Sequence, residues 1–196
     1  MADPTDFQFD LPSLERPNTV PKLAEVIHER AWAAAPRCTS PRRGKPDDTI
    51  RLLVIHATAG ASTEGAVSVM EDARASFHWI VPDEDEPAHG AHVWATAPEA
   101  RAAWHVRRSC RHPEICDGAT NLNRTSLGVE IVNRQSGGDR FSDWQLRATA
   151  QIVRYAWARY PLLVHVASHA RLDPHRRTDP GANFPWADFK NLVLSR

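Results

Sequence analysis

From Ile50 onward, short apolar runs alternate with helical patterns along the chain. Leu52 to Ile55 is one such run and predicts a buried strand. A helix is predicted after it, capped by Ser62 and continuing to about Arg74. Alternation of strands and helices is typical of a sheet that is covered by helices. The pattern therefore predicts an α/β domain.

The second half of this region repeats the alternation. Thr125 to Asn133 alternates apolar and other residues, which places Glu130 on the face opposite the apolar side chains. Ser142 and Gln145 predict a capping box for a helix that ends at Pro161. The remaining predicted elements are strands at Ser76 to Val81, Ala91 to Thr96 and Leu162 to Ala167, and a closing helix at Trp186 to Leu194.

Residues 1–48 differ from the rest of the chain. They hold seven of the fifteen prolines and show no strand-like pattern. Pro21 to Ala34 has helical spacing of its apolar residues, with proline at the permitted first turn. We therefore expect residues 1–48 to be a proline-rich N-terminal extension with a possible short helix, and residues 49–196 to be the main domain.

Composition limits the partners of the protein. Lysine plus arginine and aspartate plus glutamate each number 24, so no global charge attracts nucleic acid or an anionic membrane. The first residues lack the basic start and apolar run of a secretory signal, and no stretch approaches 18 apolar residues. We expect a monomer that is made in the cytoplasm and binds neither nucleic acid nor membrane.

The three cysteines leave two interpretations open. An odd number argues against a full disulfide framework. Cys110 and Cys116 flank a short polar loop, where they could form a bridge or stay reduced, and plain thiols are favoured in a cytosolic protein. A structural zinc site formed by these two cysteines with His105 and His112 would have a spacing that matches no recurrent pattern.

Two histidines follow predicted strands at the point where each strand ends. His56 follows the run that begins at Leu52, and His169 follows the strand predicted to end at Ala167. Ligands gather beyond the carboxyl ends of parallel strands, so parallel neighbours would bring the two imidazoles together. Asp179, on a loop with prolines at both ends, would complete three protein ligands and leave a fourth position open, which is the catalytic arrangement for zinc.

These residues resemble the type 2 N-acetylmuramoyl-L-alanine amidases, a family of phage lysins, cytosolic muropeptide amidases and peptidoglycan recognition proteins. The resemblance covers about Arg51 to Phe189. Its motifs are VIHATAG, SFHWIV, AWHV, Asn123 followed by SLGVEIVN, and SHARLDP followed by TDPG and FPW. It implies a mixed central β-sheet flanked by helices. It also implies the zinc ligands His56, His169 and Asp179.

The resemblance further implies hydrolysis of the amide bond between N-acetylmuramic acid and L-alanine in peptidoglycan. In that reaction Glu130 takes the proton and returns it to the leaving amine, while Arg177 stabilises the oxyanion. Arg177 stands where many relatives have a lysine, and Phe77 stands where some have a catalytic tyrosine, so Glu130 is expected to act alone. The residues expected to bind substrate are Trp104, His105 and Asn123.

Three functions are compatible with this pattern. The first is a lysin of phage or prophage type, or another bacteriolytic amidase, that acts on intact cell wall once the membrane is breached. The second is the same chemistry used inside the cell on wall fragments for recycling. The third is a module that binds peptidoglycan without cleaving it. Three metal ligands together with Glu130 argue against the third.

Overall fold

The structure is a computed structural model that describes residues 7–32, 38–136 and 138–195. Its larger sheet contains seven strands and a smaller one contains two. In chain order the strands are β1 Gln8–Asp10, β2 Glu29–Ala31, β3 Thr39–Pro41, β4 Leu52–Ala57, β5 Trp79–Val81, β6 Val93–Ala95, β7 Arg101–Ala103, β8 Ser126–Ile131 and β9 His165–Ser168.

The larger sheet is mixed, as the resemblance implied. Its strand order is β1-β9-β4-β8-β5-β6-β2. Parallel pairs form its centre, where β4 lies between β8 and β9 and β5 follows β8. β1 and β6 pair antiparallel with β9 and β5, and β2 pairs parallel with β6. β3 and β7 form the separate antiparallel pair.

Helices flank this sheet. They are α1 Leu23–Val26, α2 Pro46–Thr49, α3 Thr63–Glu71, α4 Asp143–Arg159, α5 His169–Leu172 and α6 Trp186–Leu194. The predicted capping box of α4 is confirmed, since the Gln145 amide donates to Ser142 Oγ and the Ser142 amide donates to Gln145 Oε1, both at 3.1 Å. The prediction of α6 is confirmed at both ends.

The N-terminal prediction needs correction. The helix predicted over Pro21 to Ala34 is limited to Leu23–Val26, and the chain then extends into β2; residues 33 and 34 lie outside the described residues. The expectation that residues 1–48 hold no strand was wrong, because β1, β2 and β3 all lie there. Each pairs with a strand distant in sequence, so tertiary pairing overrides the local pattern. The domain boundary at residue 48 stays a prediction.

Other predicted elements exist with different limits. The strands predicted over Ser76 to Val81 and Leu162 to Ala167 are the shorter β5 and β9, and the helix predicted to reach Arg74 ends at Glu71. The strand predicted at Ala91 to Thr96 is β6. None of the helices that the structure describes is both long enough and apolar enough to cross a bilayer.

The two faces of the central strands have different neighbours. Alternate residues of β4 and β8 pack into the main core with α4 and α6; they are Leu53, Ile55, Ala57, Leu127, Val129 and Ile131. The residues between them point to the opposite face. His56 and Glu130 are on that face, directly paired in the register of β4 and β8. The fold therefore places both beside the carboxyl ends of parallel strands.

Candidate active site

Three side chains from distant parts of the chain meet at this edge of the sheet. His56 Nδ1 lies 3.1 Å from His169 Nδ1 and 3.1 Å from Asp179 Oδ2. The third side of the triangle, from His169 Nδ1 to Asp179 Oδ2, measures 3.0 Å. All three residues are buried. The sequence predicted this convergence.

Backbone geometry explains how the three meet. β4 and β9 are parallel neighbours, so His56 near the end of one lies beside the residue that follows the other. That residue is His169, the first of α5, which Ser168 caps by accepting from the Arg171 amide. The carbonyl of Asp179 accepts from the Ala170 amide at 3.0 Å, which ties the returning loop to α5.

The donor set fits a metal ion. Hydrogen bonds cannot account for all three contacts, because an ionised Asp179 donates none and each neutral histidine has at most one hydrogen on Nδ1. Donors bound at about 2.0–2.1 Å to a tetrahedral zinc would lie about 3.3–3.4 Å apart, close to the observed spacing. The His56, His169 and Asp179 atoms therefore form a group that could hold a metal ion.

The ionisation of these residues suits such a role. Burial, followed by the charge of His169, lowers the pKa of His56 to about 4, so its imidazole is neutral at pH 7. Burial raises the pKa of Asp179, but its hydrogen bonds and charge interactions with the two histidines are stronger and hold that pKa below its ordinary value. Metal ligands must be deprotonated, and both residues meet that condition.

Glu130 is buried at the same cavity. Its Oε2 has no hydrogen-bond partner among the residues that the structure describes. Burial, and then the charge of Asp179, raises the pKa of Glu130 well above its ordinary value, while Arg177 opposes the shift. Burial therefore favours the protonated form of this carboxyl group, and a titratable group with a perturbed pKa at a cavity is a candidate for proton transfer.

Two cavities meet beside the metal-ligand candidates, and His169 lines both of them. The metal-side cavity, of about 440 Å³, is lined by all three candidates with Glu130 and the small residues that follow β4. The second, of about 390 Å³, shares His105, His169 and Arg177 with the first. We call it the arginine cavity, because its lining includes Arg74, Arg107, Arg108, Arg124 and Arg177. Although the chain has no net charge, one cleft concentrates five cations.

The residues expected to bind substrate occupy different depths. Trp104 is 38% exposed at the arginine cavity, and its Nε1 donates to Ser40 Oγ at 2.7 Å. His105 is only 4% exposed and its Nδ1 lies 3.0 Å from His56 Nε2. Asn123 is also buried, and its side chain bonds the backbone of residues 105 and 106. Both residues line the arginine cavity, but little of either side chain is exposed.

Sequence reasoning missed the cations of the arginine cavity and the partners of His105. The run Arg107 and Arg108 directly after AWHV was the available signal for the former. The suggested zinc site of His105, Cys110, His112 and Cys116 is wrong. Among the described residues, only two groups of three or more side chains could hold a metal ion: His56, His169 and Asp179, and Glu64, Glu86 and His89. All three cysteines are free thiols, as favoured.

Comparison with known proteins identifies the family. A family model described as N-acetylmuramoyl-L-alanine amidase matches residues 46–182. The chain belongs to this family. The matched span contains the predicted metal ligands His56, His169 and Asp179, and the predicted catalytic residues Glu130 and Arg177.

Individual members of the amidase family resemble this chain over most of its length. The amidase AmiD of Escherichia coli K12 is 34% identical over 146 residues, which are 70% of this chain and 51% of AmiD. AmpDh3 of Pseudomonas aeruginosa superposes with a TM-score of 0.64 at 27% identity, covering 73% of this chain and 59% of its own. The chain therefore spans about half the length of AmiD.

A third similar structure contains a ligand. It is E. coli AmiD in complex with the substrate anhydro-N-acetylmuramic acid-L-Ala-D-γ-Glu-L-Lys. It superposes with a TM-score of 0.60 at 31% identity, over 83% of this chain and 60% of the AmiD chain. These matches confirm the predicted mixed α/β fold as that of the amidase family.

Proposed function

We propose that this amidase-family chain is a zinc hydrolase that cleaves the amide bond between N-acetylmuramic acid and L-alanine. The observation that carries the proposal is the meeting of His56, His169 and Asp179 with Glu130 at one cavity. Two imidazoles and one carboxylate, with room for a further ligand, are the donor set of a catalytic zinc. A bound zinc ion would polarise the amide carbonyl and lower the pKa of water.

Glu130 is the proposed general acid and base. Its carboxyl group lines the metal-side cavity, and its Oε2 is free of partners in the described structure. As a carboxylate, Glu130 would take a proton from the attacking water and return it to the nitrogen of L-alanine as the amide breaks. Burial, which raises the pKa of Glu130, favours the protonated form between these two steps. Phe77 packs against His56 with 5.2 Å between the ring centroids, and it has no group that can transfer a proton.

Arg177 is proposed to stabilise the negative charge that develops on the carbonyl oxygen. It lines both cavities, and its charge acts on the titration of Glu130 and His56. A guanidinium stays protonated at all working pH values, so its role is electrostatic and leaves proton transfer to Glu130. Fixed charge in a site shielded from water stabilises a transition state more than it would in bulk solvent.

The two cavities suggest how the substrate lies across the site. The substrate of the AmiD complex carries a γ-linked glutamate, whose α-carboxylate is free, and a terminal carboxylate. Guanidinium groups bind carboxylates with paired hydrogen bonds. We propose that the stem peptide occupies the arginine cavity beside Trp104, and that the sugar is placed across the metal-side cavity. Asn123 supports this groove by holding the backbone after Trp104.

The form of the substrate divides the remaining alternatives. A lysin that acts on intact wall was the first expectation, and it stays a prediction. The soluble anhydro-muropeptide bound by AmiD supports a recycling enzyme that acts on fragments. A buried carboxyl group without a partner beside three metal-ligand candidates argues against a module that binds without cleaving. The monomeric state and the cytoplasmic location also stay predictions.

One experiment tests the proposal. Purified protein is incubated with sacculi and, separately, with soluble muropeptides, and new L-alanine amino termini and new reducing sugars are measured. We expect amino termini without reducing sugars, and one zinc per chain by metal analysis. Cleavage of sacculi would support the lysin, and cleavage of fragments alone would support recycling. Absence of new amino termini from both substrates in zinc-loaded protein would contradict the enzymatic function.

A further inference from the structure

A chain of buried contacts extends from His56 away from the metal-ligand candidates. His56 Nε2 lies 3.0 Å from His105 Nδ1, and the other ring nitrogen of His105 lies 2.9 Å from Ser126 Oγ. The Ser126 hydroxyl lies 2.8 Å from the carbonyl oxygen of Leu122. His105 and Ser126 are 4% and 0% exposed, so water does not compete for these contacts.

The carbonyl at the end of this chain determines where each hydrogen lies. A carbonyl only accepts, so the Ser126 hydroxyl donates to Leu122 and its oxygen accepts from His105 Nε2–H. The neutral His105 ring then has a lone pair on Nδ1, which accepts from His56 Nε2–H. His56 Nδ1 is left without a hydrogen, and that is the nitrogen that faces Asp179 and His169.

The surrounding backbone holds the His105 ring in this place. A Cβ at Gly128 would lie 2.8 Å from Cγ and 2.9 Å from Nδ1 of His105, so the ring occupies space that only glycine leaves open. Asn123 Oδ1 accepts from the amides of His105 at 3.2 Å and Val106 at 2.9 Å. The Arg42 guanidinium donates to the Ser126 carbonyl at 2.9 Å, which fixes the start of β8.

We propose that His105, held by Ser126, is a positioning residue that presents the unprotonated Nδ1 of His56 to the metal ion. This inference rests on the proposed zinc-dependent function. It gives His105 a role in addition to the predicted contact with substrate, because His105 lines both cavities while its two ring nitrogens contact His56 and Ser126. His169 lacks such support, since its Nε2 has no hydrogen-bond partner within the described residues.

The test measures zinc affinity by competition with a chromophoric chelator, with thermal unfolding of the zinc-free proteins as a check on folding. His105→Leu removes the acceptor for His56, and we expect a loss of about 10- to 100-fold in zinc affinity. His105→Gln is expected to recover part of this loss, because its amide oxygen can accept the same hydrogen bond. A general loss of packing would give no such recovery.

Two serine variants separate the contact chain from burial alone. Ser126→Ala should weaken zinc binding in the same direction as His105→Leu. Ser76→Ala is the matched control, because Ser76 is equally buried and also donates to a backbone carbonyl, that of Cys38. Its hydroxyl accepts from the backbone amide of Trp104, so the variant alters the segment before His105 while leaving the contact between Ser126 and the His105 ring in place. It should leave zinc affinity unchanged. If His105→Leu fails to fold, Ser126→Ala decides, since equal zinc affinity in the two serine variants would overturn the proposal.

The failure of this inference differs from the failure of the proposed function. Suppose that the wild-type protein binds zinc and cleaves muropeptides, and that His105→Leu folds and binds zinc with the same affinity. That result would overturn only the positioning role of His105. Wild-type protein without zinc affinity would overturn both.

Discussion

Replacing Glu130 with glutamine tests both its chemistry and the cost of keeping it buried. Glutamine has nearly the same shape but neither accepts nor returns a proton. General acid and base catalysis contributes about 10²- to 10⁴-fold, so Glu130→Gln should raise the activation barrier by about 2.7–5.4 kcal/mol. The three metal-ligand candidates are untouched, so the variant should bind zinc with the wild-type stoichiometry.

The same variant should change how stability depends on pH. The pKa of Glu130 is raised in the folded state, mainly by burial, so folded protein keeps the proton at pH values where unfolded protein has lost it. The protonated group contributes its whole share of the free energy of unfolding below the ordinary pKa of a glutamate. This contribution declines as pH rises towards the pKa that Glu130 has in the folded protein. The slope there is about 1.4 kcal/mol per pH unit for one proton. Glu130→Gln should lack this decline.

Urea unfolding of chelator-treated protein across the pH range measures this slope. Zinc must be removed, because a nearby dication would favour the carboxylate and lower its pKa. Glu71→Gln, at an exposed position on α3, is the matched control and should follow the wild-type curve. A wild-type slope in Glu130→Gln, or wild-type turnover in that variant, would refute the role derived from burial.

Three further predictions concern the charges and the helix around the site. Arg177→Lys should keep most of the turnover because it retains the cation, whereas Arg177→Ala should slow turnover without unfolding the protein. Equal kcat in the wild-type protein and both variants would show that the charge is incidental. Arg108→Gln should raise KM for a muropeptide whose stem peptide has free carboxylates, and should leave KM unchanged for the same muropeptide with those carboxylates converted to amides. An equal rise in KM for both substrates would exclude carboxylate recognition in the arginine cavity. Ser142→Ala removes the cap of α4 and should cost about 1 kcal/mol, or about 2–4 °C in Tm by calorimetry, and an unchanged Tm would show that the cap contributes nothing.

The sequence predicted those features whose causes are local. The capping box of Ser142 and Gln145 and the limits of α6 depend on neighbours within a few residues. The meeting of His56 with His169 was also predictable, because each was placed at the end of a predicted strand; the structure puts His56 inside β4, one residue before its end, and His169 directly after its parallel neighbour β9. These signals are sufficient to locate the candidate metal site.

Features that depend on distant partners could not be predicted in this way. Gln8 pairs with Ala167, and nothing near Gln8 in the sequence reveals that partner. His105 was expected to line the substrate groove, and it does line both cavities. Its contact with His56 could not be predicted, because it depends on the space above Gly128, which forms only when two distant segments pack together. The arginine cavity likewise collects cations from several separate loops.

The edge pairing of the sheet has a consequence for anyone who trims this protein. A version cut to the matched span, residues 46–182, would lose β1 and β2, and with them the partners of β9 and β6. Both borders of the sheet would then offer unpaired amides and carbonyls to other molecules, which invites aggregation. β9 leads directly into His169, so we expect the loss of its partner strand to disturb the candidate metal site even though His56, His169 and Asp179 all lie within the shortened sequence.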